Sequence, residues 1–120
     1  MIADLHHIQL AMPEGQENLA DAFYVDLLGF DPDPKPEALA GRGGVWFRRD
    51  DVRVHLGVER PFCPAKKAHP AFLCDGLDEL AAALERASFP VSWDTDLIGF
   101  RRFYSADPFG NRIEFLQPAS

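Results

Sequence analysis

The feature that most constrains this chain is that it repeats itself. Read from its start, "LHHIQLAM" (Leu5 to Met12) has the apolar content and length of a strand, and Pro13, Glu14 and Gly15 end it. "QENLADAFYVDLLGF" then has helical spacing, with Leu19, Ala22, Phe23, Leu27 and Phe30 on one stripe and Gly29 as the stop. "DPDPKPEALAGRGG" is a Pro- and Gly-rich loop with room for one helical turn, and "GVWFRRDDVRVHLGV" reads as a hairpin with Asp50 and Asp51 at its tip. The same succession follows again. "AHPAFLC" is a strand, and "DGLDELAAALERASF" is a helix with Asp75 as its N-cap and Leu77, Leu80, Ala81 and Leu84 as its stripe. "VSWDTDLIGF" holds a short strand, and "RRFYSADPFGNRIEFLQ" closes as a second hairpin. Two βαβββ modules, about 1–60 and about 66–118, make one α+β domain of open, cupped mixed sheets.

The register of the repeat carries chemistry. His7 opens the first module and His69 the second, while the return strands of the two hairpins are Arg53-Val54-His55-Leu56 and Arg112-Ile113-Glu114-Phe115. Laid module on module, His7 falls on His69 and His55 on Glu114. Strand alternation puts Arg53, His55 and Gly57 on one face, matching Arg112, Glu114 and Leu116. A carboxylate on the face of a strand otherwise rich in Ile, Phe and Leu needs water, a cation or a hydrogen-bond partner. Converging imidazole and carboxylate groups are what a divalent metal needs: Zn, Ni, Fe, Mn and Co all accept such ligands. His7 and His69 alone would each be read as a hydrogen-bonded strand residue, and the matched register shifts their balance to ligation, while His55 is divided between a ligand and a residue that lines the pocket or supports a ligand.

Composition narrows the partners. The net charge of −7 disfavours nucleic acid and docking on anionic membranes, both of which call for a basic surface. No apolar run reaches the roughly 18 residues of a membrane span, and "MIADLHHIQLAMP" lacks the basic and long apolar regions of a signal peptide. Cys63 and Cys74 have no metal-type spacing, so free thiols and a cytoplasmic location are expected.

Four stretches, "LHHIQLAMP", "AFYVDLLGF", "AHPAFLCDGLDEL" and above all "FYSADPFGNRIEFLQP", resemble the vicinal oxygen chelate superfamily, the glyoxalase, bleomycin-resistance and extradiol-dioxygenase group. The resemblance covers nearly the whole chain. It implies metal ligands at His7, His55, His69 and Glu114, with His55 and Glu114 also placed to move protons. It further implies a divalent metal cofactor, lyase or isomerase chemistry on a small oxygenated substrate, and a homodimer in which the ligands of one site can come from two subunits. The pattern departs at His55, where glyoxalase I-like members supply a glutamate. His7, His69 and Glu114 alone form a set of two histidines and one carboxylate, similar to that of non-haem Fe(II) oxygenases and of fosfomycin-resistance thiol transferases. Bleomycin-resistance-like members bind a drug without metal.

Other residues have plainer readings beside functional ones. Arg53 and Arg112 share the ligand faces, either as partners of the many acidic residues or as a clamp for an anionic substrate. Arg101 and Arg102 read as a surface pair. His6 alternates away from His7, and Gln9 follows His7 on its face. Trp46, Phe47, Phe103 and Tyr104 are divided between core packing and an aromatic lining.

Overall fold

The computed structural model describes residues 1–119, which form two compact units, 1–64 and 65–119. In the first, β1 (Ile8–Met12) pairs in parallel with β4 (Val52–Val58), which pairs antiparallel with β3 (Val45–Arg49), which in turn pairs with β2 (Asp31–Pro32). The sheet order is β1-β4-β3-β2. The second unit repeats it. β5 (Ala71–Leu73) pairs in parallel with β8 (Arg112–Pro118), followed by β7 (Phe100–Ala106) and β6 (Ser92–Asp94), in the order β5-β8-β7-β6. The two βαβββ modules expected from the sequence are therefore present, each with a mixed four-stranded sheet.

Each sheet buries one face against its own helix. In the first unit Met12, Phe47, Val54 and Leu56 are buried with Phe23 and Tyr24. In the second, Phe103, Ile113 and Phe115 are buried with Leu77, Ala81 and Leu84 of α3 (Leu77–Arg86), an i, i+4, i+7 stripe. The predicted stripe of α3 thus holds, but its start differs: the N-cap is Gly76, at φ +65°, not Asp75. The Leu77 amide is met by the side-chain oxygen of Gln117 at 3.2 Å, so the sheet supplies the cap that the sequence assigned to a local aspartate.

The first helix departs more. Helix α1 is short (Glu17–Asp21) and continues as a π-helical turn over Ala22–Leu27, seen in the Leu28 amide bonding the Phe23 carbonyl five residues back at 3.0 Å. The wider turn shifts the phase of the stripe. Ala20, Phe23 and Tyr24 are buried, whereas Leu19, expected inside, is 50% exposed. A four-residue helix, α2 (Glu37–Ala40), occupies the loop before β3. Gly44, immediately before that strand, is at φ +82°, and a Cβ there would sit 2.2 Å from the Leu56 carbonyl oxygen, so only glycine fits.

Hairpin β7–β8 turns through a buried polar knot. The carboxylate of Asp107 accepts bonds from the Phe109 and Asn111 amides, both at 2.9 Å, and from the Asn111 side-chain amide at 3.0 Å. The Asn111 side-chain oxygen accepts from the Ala65 amide at 3.0 Å, which ties the start of the unit to its last turn.

Candidate functional site

The four residues matched in the sequence occupy equivalent places in the two sheets. His7 lies one residue before β1, and His69 two before β5. His55 and Glu114 lie on the central strands. Across the parallel pairing, Gln9 stands opposite His55 and Ala71 opposite Glu114. Across the antiparallel pairing, Trp46 stands opposite His55 and Tyr104 opposite Glu114. The repeat is thus exact in strand register, not only in sequence order.

In the second unit the pair closes. Glu114 is 5% exposed, and its Oε1 lies 3.0 Å from His69 Nε2. The other ring nitrogen of His69, Nδ1, lies 2.8 Å from the Lys67 carbonyl oxygen. A carbonyl can only accept, so Nδ1 carries a proton there, and Nε2 is left as the nitrogen that faces the carboxylate. That contact is satisfied by a second proton on Nε2 or by a cation in the proton's place. Two ligand atoms bound at about 2.0–2.1 Å to one metal stand roughly 3 Å apart when their angle is near 90°, so the His69–Glu114 spacing fits both. A carbonyl on the distal nitrogen is also how metal-bound histidines are commonly oriented.

Glu114 has a further partner. Its Oε2 lies 3.3 Å from Arg102 Nη1, and Arg102 also donates to Asp94 through Nε at 3.2 Å and Nη2 at 3.1 Å. Arg102 therefore belongs to the site and not to a surface pair. The signal was available in the sequence: Arg102 is two residues from Tyr104, the cross-strand partner of Glu114, and a diagonal neighbour with a long side chain reaches across. Tyr104 stands at the centre of this group. Its ring meets His69 edge-on at 5.4 Å, with the Arg102 guanidinium 5.3 Å and that of Arg112 4.0 Å from the ring centroid.

In the first unit the histidines stack. His55 lies between the Trp46 ring (3.8 Å, 3° between planes) and the His7 ring (4.2 Å, 18°). His55 is 3% exposed, and its Nε2 is buried with no hydrogen-bond partner among the described residues. Burial, helped by the positive field of His7, holds its pKa below the ordinary imidazole value, so at neutral pH the ring is uncharged. An uncharged imidazole with an unpaired buried nitrogen suits a metal ligand or a proton acceptor. The exposed His7 is placed differently. A metal lies in the plane of an imidazole that binds it, and two rings stacked face to face do not aim their planes at one point. His7 must swing off His55 before both can ligate. His6, expected on the opposite face, instead meets His7 with the two Nδ1 atoms 3.0 Å apart, because both residues precede the strand and escape its alternation. Among the described residues no group of three His, Cys, Asp or Glu side chains is drawn together for a metal.

The remaining candidates are quickly placed. Arg53 donates to the His6 carbonyl at 3.3 Å. Gln9 packs over Gly57, where a Cβ would lie 2.6 Å from its Nε2. Burial pushes the Cys74 thiol up to about 11, too high for a thiolate nucleophile at neutral pH, and Cys63 is free and exposed. No helix among the described residues is long and apolar enough to cross a membrane.

Two sheets of identical βαβββ topology, with polar residues matched at the centre of each, define an α+β protein of paired modules. Residues 4–115 match the family model described as the Glyoxalase/Bleomycin resistance protein/Dioxygenase superfamily, and the chain belongs to that superfamily. A Bacillus anthracis protein assigned to the glyoxalase family is similar at 44% identity and a TM-score of 0.93, over 98% of this chain and 97% of that one. More distant likenesses show the fold alone. The fosfomycin resistance protein FosX of Listeria monocytogenes has 16% identity and a TM-score of 0.78, over 99% and 96% of the two chains. TnmS3, an antibiotic binding protein from Streptomyces sp. CB03234, has 23% identity and a TM-score of 0.73, over 99% and 100%. A comparison with curated proteins gave no match.

Proposed function

We propose that the chain is a divalent-metal-dependent enzyme of lyase or isomerase type, acting on a small oxygenated metabolite, with His7, His55, His69 and Glu114 as its ligand set. The observation that carries this reading is the pair His69–Glu114. A carboxylate 5% exposed in the middle of a strand is costly unless something of opposite charge is provided for it. Here it is held against an imidazole nitrogen whose ring is already oriented by the Lys67 carbonyl. Such a metal, when bound, polarises a substrate oxygen and stabilises the negative charge that develops on it. The protein's own contribution is to orient and to move protons. Glu114 is able to accept one through an oxygen not given to the metal, the uncharged His55 only when its nitrogen is off the metal, and Trp46 stacks on the His55 ring. We also propose that the protein works in the cytoplasm as a homodimer; the open edges of the two sheets, at β1 and β2 and at β5 and β6, support the dimer.

A second reading is favoured by one specific observation. Arg102 already pairs with Glu114, so the carboxylate is compensated without a metal. On that reading the protein binds a small molecule and does no chemistry on it; TnmS3, which shares the fold, is an antibiotic binding protein.

Metal content decides between them. Protein purified without a histidine tag is analysed by mass spectrometry beside the double variant His69→Ala/Glu114→Ala. Near-stoichiometric Zn, Ni, Fe, Mn or Co in the parent, lost in the variant, is the expected result. A parent that is metal-free and refuses added metal at neutral pH overturns the enzyme reading in favour of the binding protein.

A further inference from the structure

Arg112 is a partly buried cation of the second unit that makes no ion pair among the described residues, although its charge reaches Asp94 from beyond contact distance. Its guanidinium lies 4.0 Å from the centroid of the Tyr104 ring, and no carboxylate among the described residues is within ion-pairing distance of it. The chain is not short of carboxylates, with 19 acidic against 12 basic residues. The two acidic groups nearest the cluster are spoken for: Arg102 takes both Asp94 and Glu114. A partly buried guanidinium loses hydration, which is normally made good by a carboxylate. The Tyr104 ring holds the guanidinium against its face and offers no oxygen to its N–H groups, which are left to be filled.

Its position gives the missing anion a context. Arg112 and Glu114 are two apart on β8 and share a face, so their Cα atoms stand about 6.5–7 Å apart. A small molecule that reaches the His69–Glu114 pair is then within reach of Arg112. The equivalent residue of the first unit, Arg53, is not set up in this way, because it donates to the backbone carbonyl of His6.

We propose that Arg112, supported by Tyr104, is the anion-binding residue of this site and receives an oxyanion group of the substrate, a carboxylate or a phosphonate, on its fork. The assignment of that anion to a substrate rests on the function proposed above; the anion site itself does not.

The test uses the whole chain, stripped of metal, with 15N-labelled arginine. Sodium methylphosphonate and sodium acetate are titrated separately while the arginine Nε–H signals are followed by NMR. The Arg112 signal is identified by its loss in Arg112→Lys. The expected result is a saturable shift of that signal with at least one probe. Anion affinity should fall roughly tenfold or more in Arg112→Gln, fall less in Arg112→Lys, and stay unchanged in Arg86→Gln on the exposed side of α3. Tighter binding of acetate assigns a carboxylate substrate; tighter binding of methylphosphonate assigns a phosphonate. An Arg112 signal that neither anion moves overturns the proposal, as does an Arg112→Gln protein, folded by its amide spectrum, that binds within twofold of the parent. Failure of the two readings is distinguishable. Stripped protein that binds the anion but takes up no metal leaves Arg112 standing and removes the metalloenzyme, and the reverse result does the opposite.

Discussion

Glu114 is shared between His69 and Arg102: one carboxylate oxygen lies 3.0 Å from the imidazole and the other 3.3 Å from the guanidinium. The two partners have different consequences for a metal. The imidazole becomes a co-ligand once its Nε2 proton is displaced. The guanidinium cannot lose its charge and stays as a like charge beside any cation that binds.

Replacing Glu114 by Gln keeps the shape and removes the charge. Loss of an outer partner of a metal ligand already costs about 10–100-fold in affinity, so loss of the carboxylate itself should cost at least about 100-fold. Competition with a chromophoric chelator measures this directly. Equal affinity in parent and Glu114→Gln would remove Glu114 from the ligand set.

Replacing Arg102 by Gln should act in the opposite direction. It takes a fixed positive charge away from Glu114 and frees Oε2. Divalent-metal affinity is expected to rise by a few fold, in a way that fades as salt is raised, since the removed repulsion is electrostatic. The same chelator competition at two ionic strengths checks it. If the metal reading is wrong and Arg102 is the true counter-charge of Glu114, metal uptake stays nil and the variant only loses stability.

The matched pairs His7 with His69 and His55 with Glu114 were legible because a repeat of βαβββ units leaves its register in the sequence, and a period-2 strand turns register into faces. The closing turn was legible too, since in Asp107-Pro108-Phe109-Gly110-Asn111 the proline fixes φ and the glycine or asparagine accepts a positive φ, as turns require. What escaped was set by contacts distant in sequence. The cap of α3 comes from Gln117, forty residues on. The π-helical turn depends on how Phe23 and Tyr24 find room together in the core, which no local periodicity encodes. Arg102 looked like surface because its partners, Asp94 and Glu114, lie on two other strands. His6 was placed by an alternation that begins only at Ile8.

The lowered pKa of His55 makes a pH prediction. The folded state binds this proton less readily than the unfolded chain, whose histidines titrate near pH 6.5. Below that value the unfolded state takes up a proton that the folded state refuses, so stability falls as pH drops from about 6.5 toward the lower folded pKa, and levels off beneath it. Above about 6.5 the group contributes no pH dependence. His55→Phe keeps a ring between His7 and Trp46 but cannot titrate. The drop in Tm between pH 7.5 and pH 5.5 should be smaller in the variant than in the parent, because the variant lacks the group whose proton the folded state refuses. Identical drops in both proteins would show that His55 titrates normally.

The knot at Asp107 and Asn111 predicts where the second unit is weakest to substitution. Asn111 is fully buried, and its side chain both donates to Asp107 and accepts from the Ala65 amide. Asn111→Ala deletes both bonds and leaves the Ala65 N–H without its side-chain acceptor. A buried polar group left so costs about 1–3 kcal/mol. Because β8 leaves this turn carrying Arg112 and Glu114 in order, the damage should reach the site. Urea unfolding of Asn111→Ala should show a midpoint lowered with little change in slope, together with weaker metal uptake. A variant as stable as the parent would mean that the turn is held by its backbone alone. In that case Asn111→Ala should bind metal as the parent does, and Gly110→Ala, which strains a backbone at φ +89°, becomes the substitution that loosens β8.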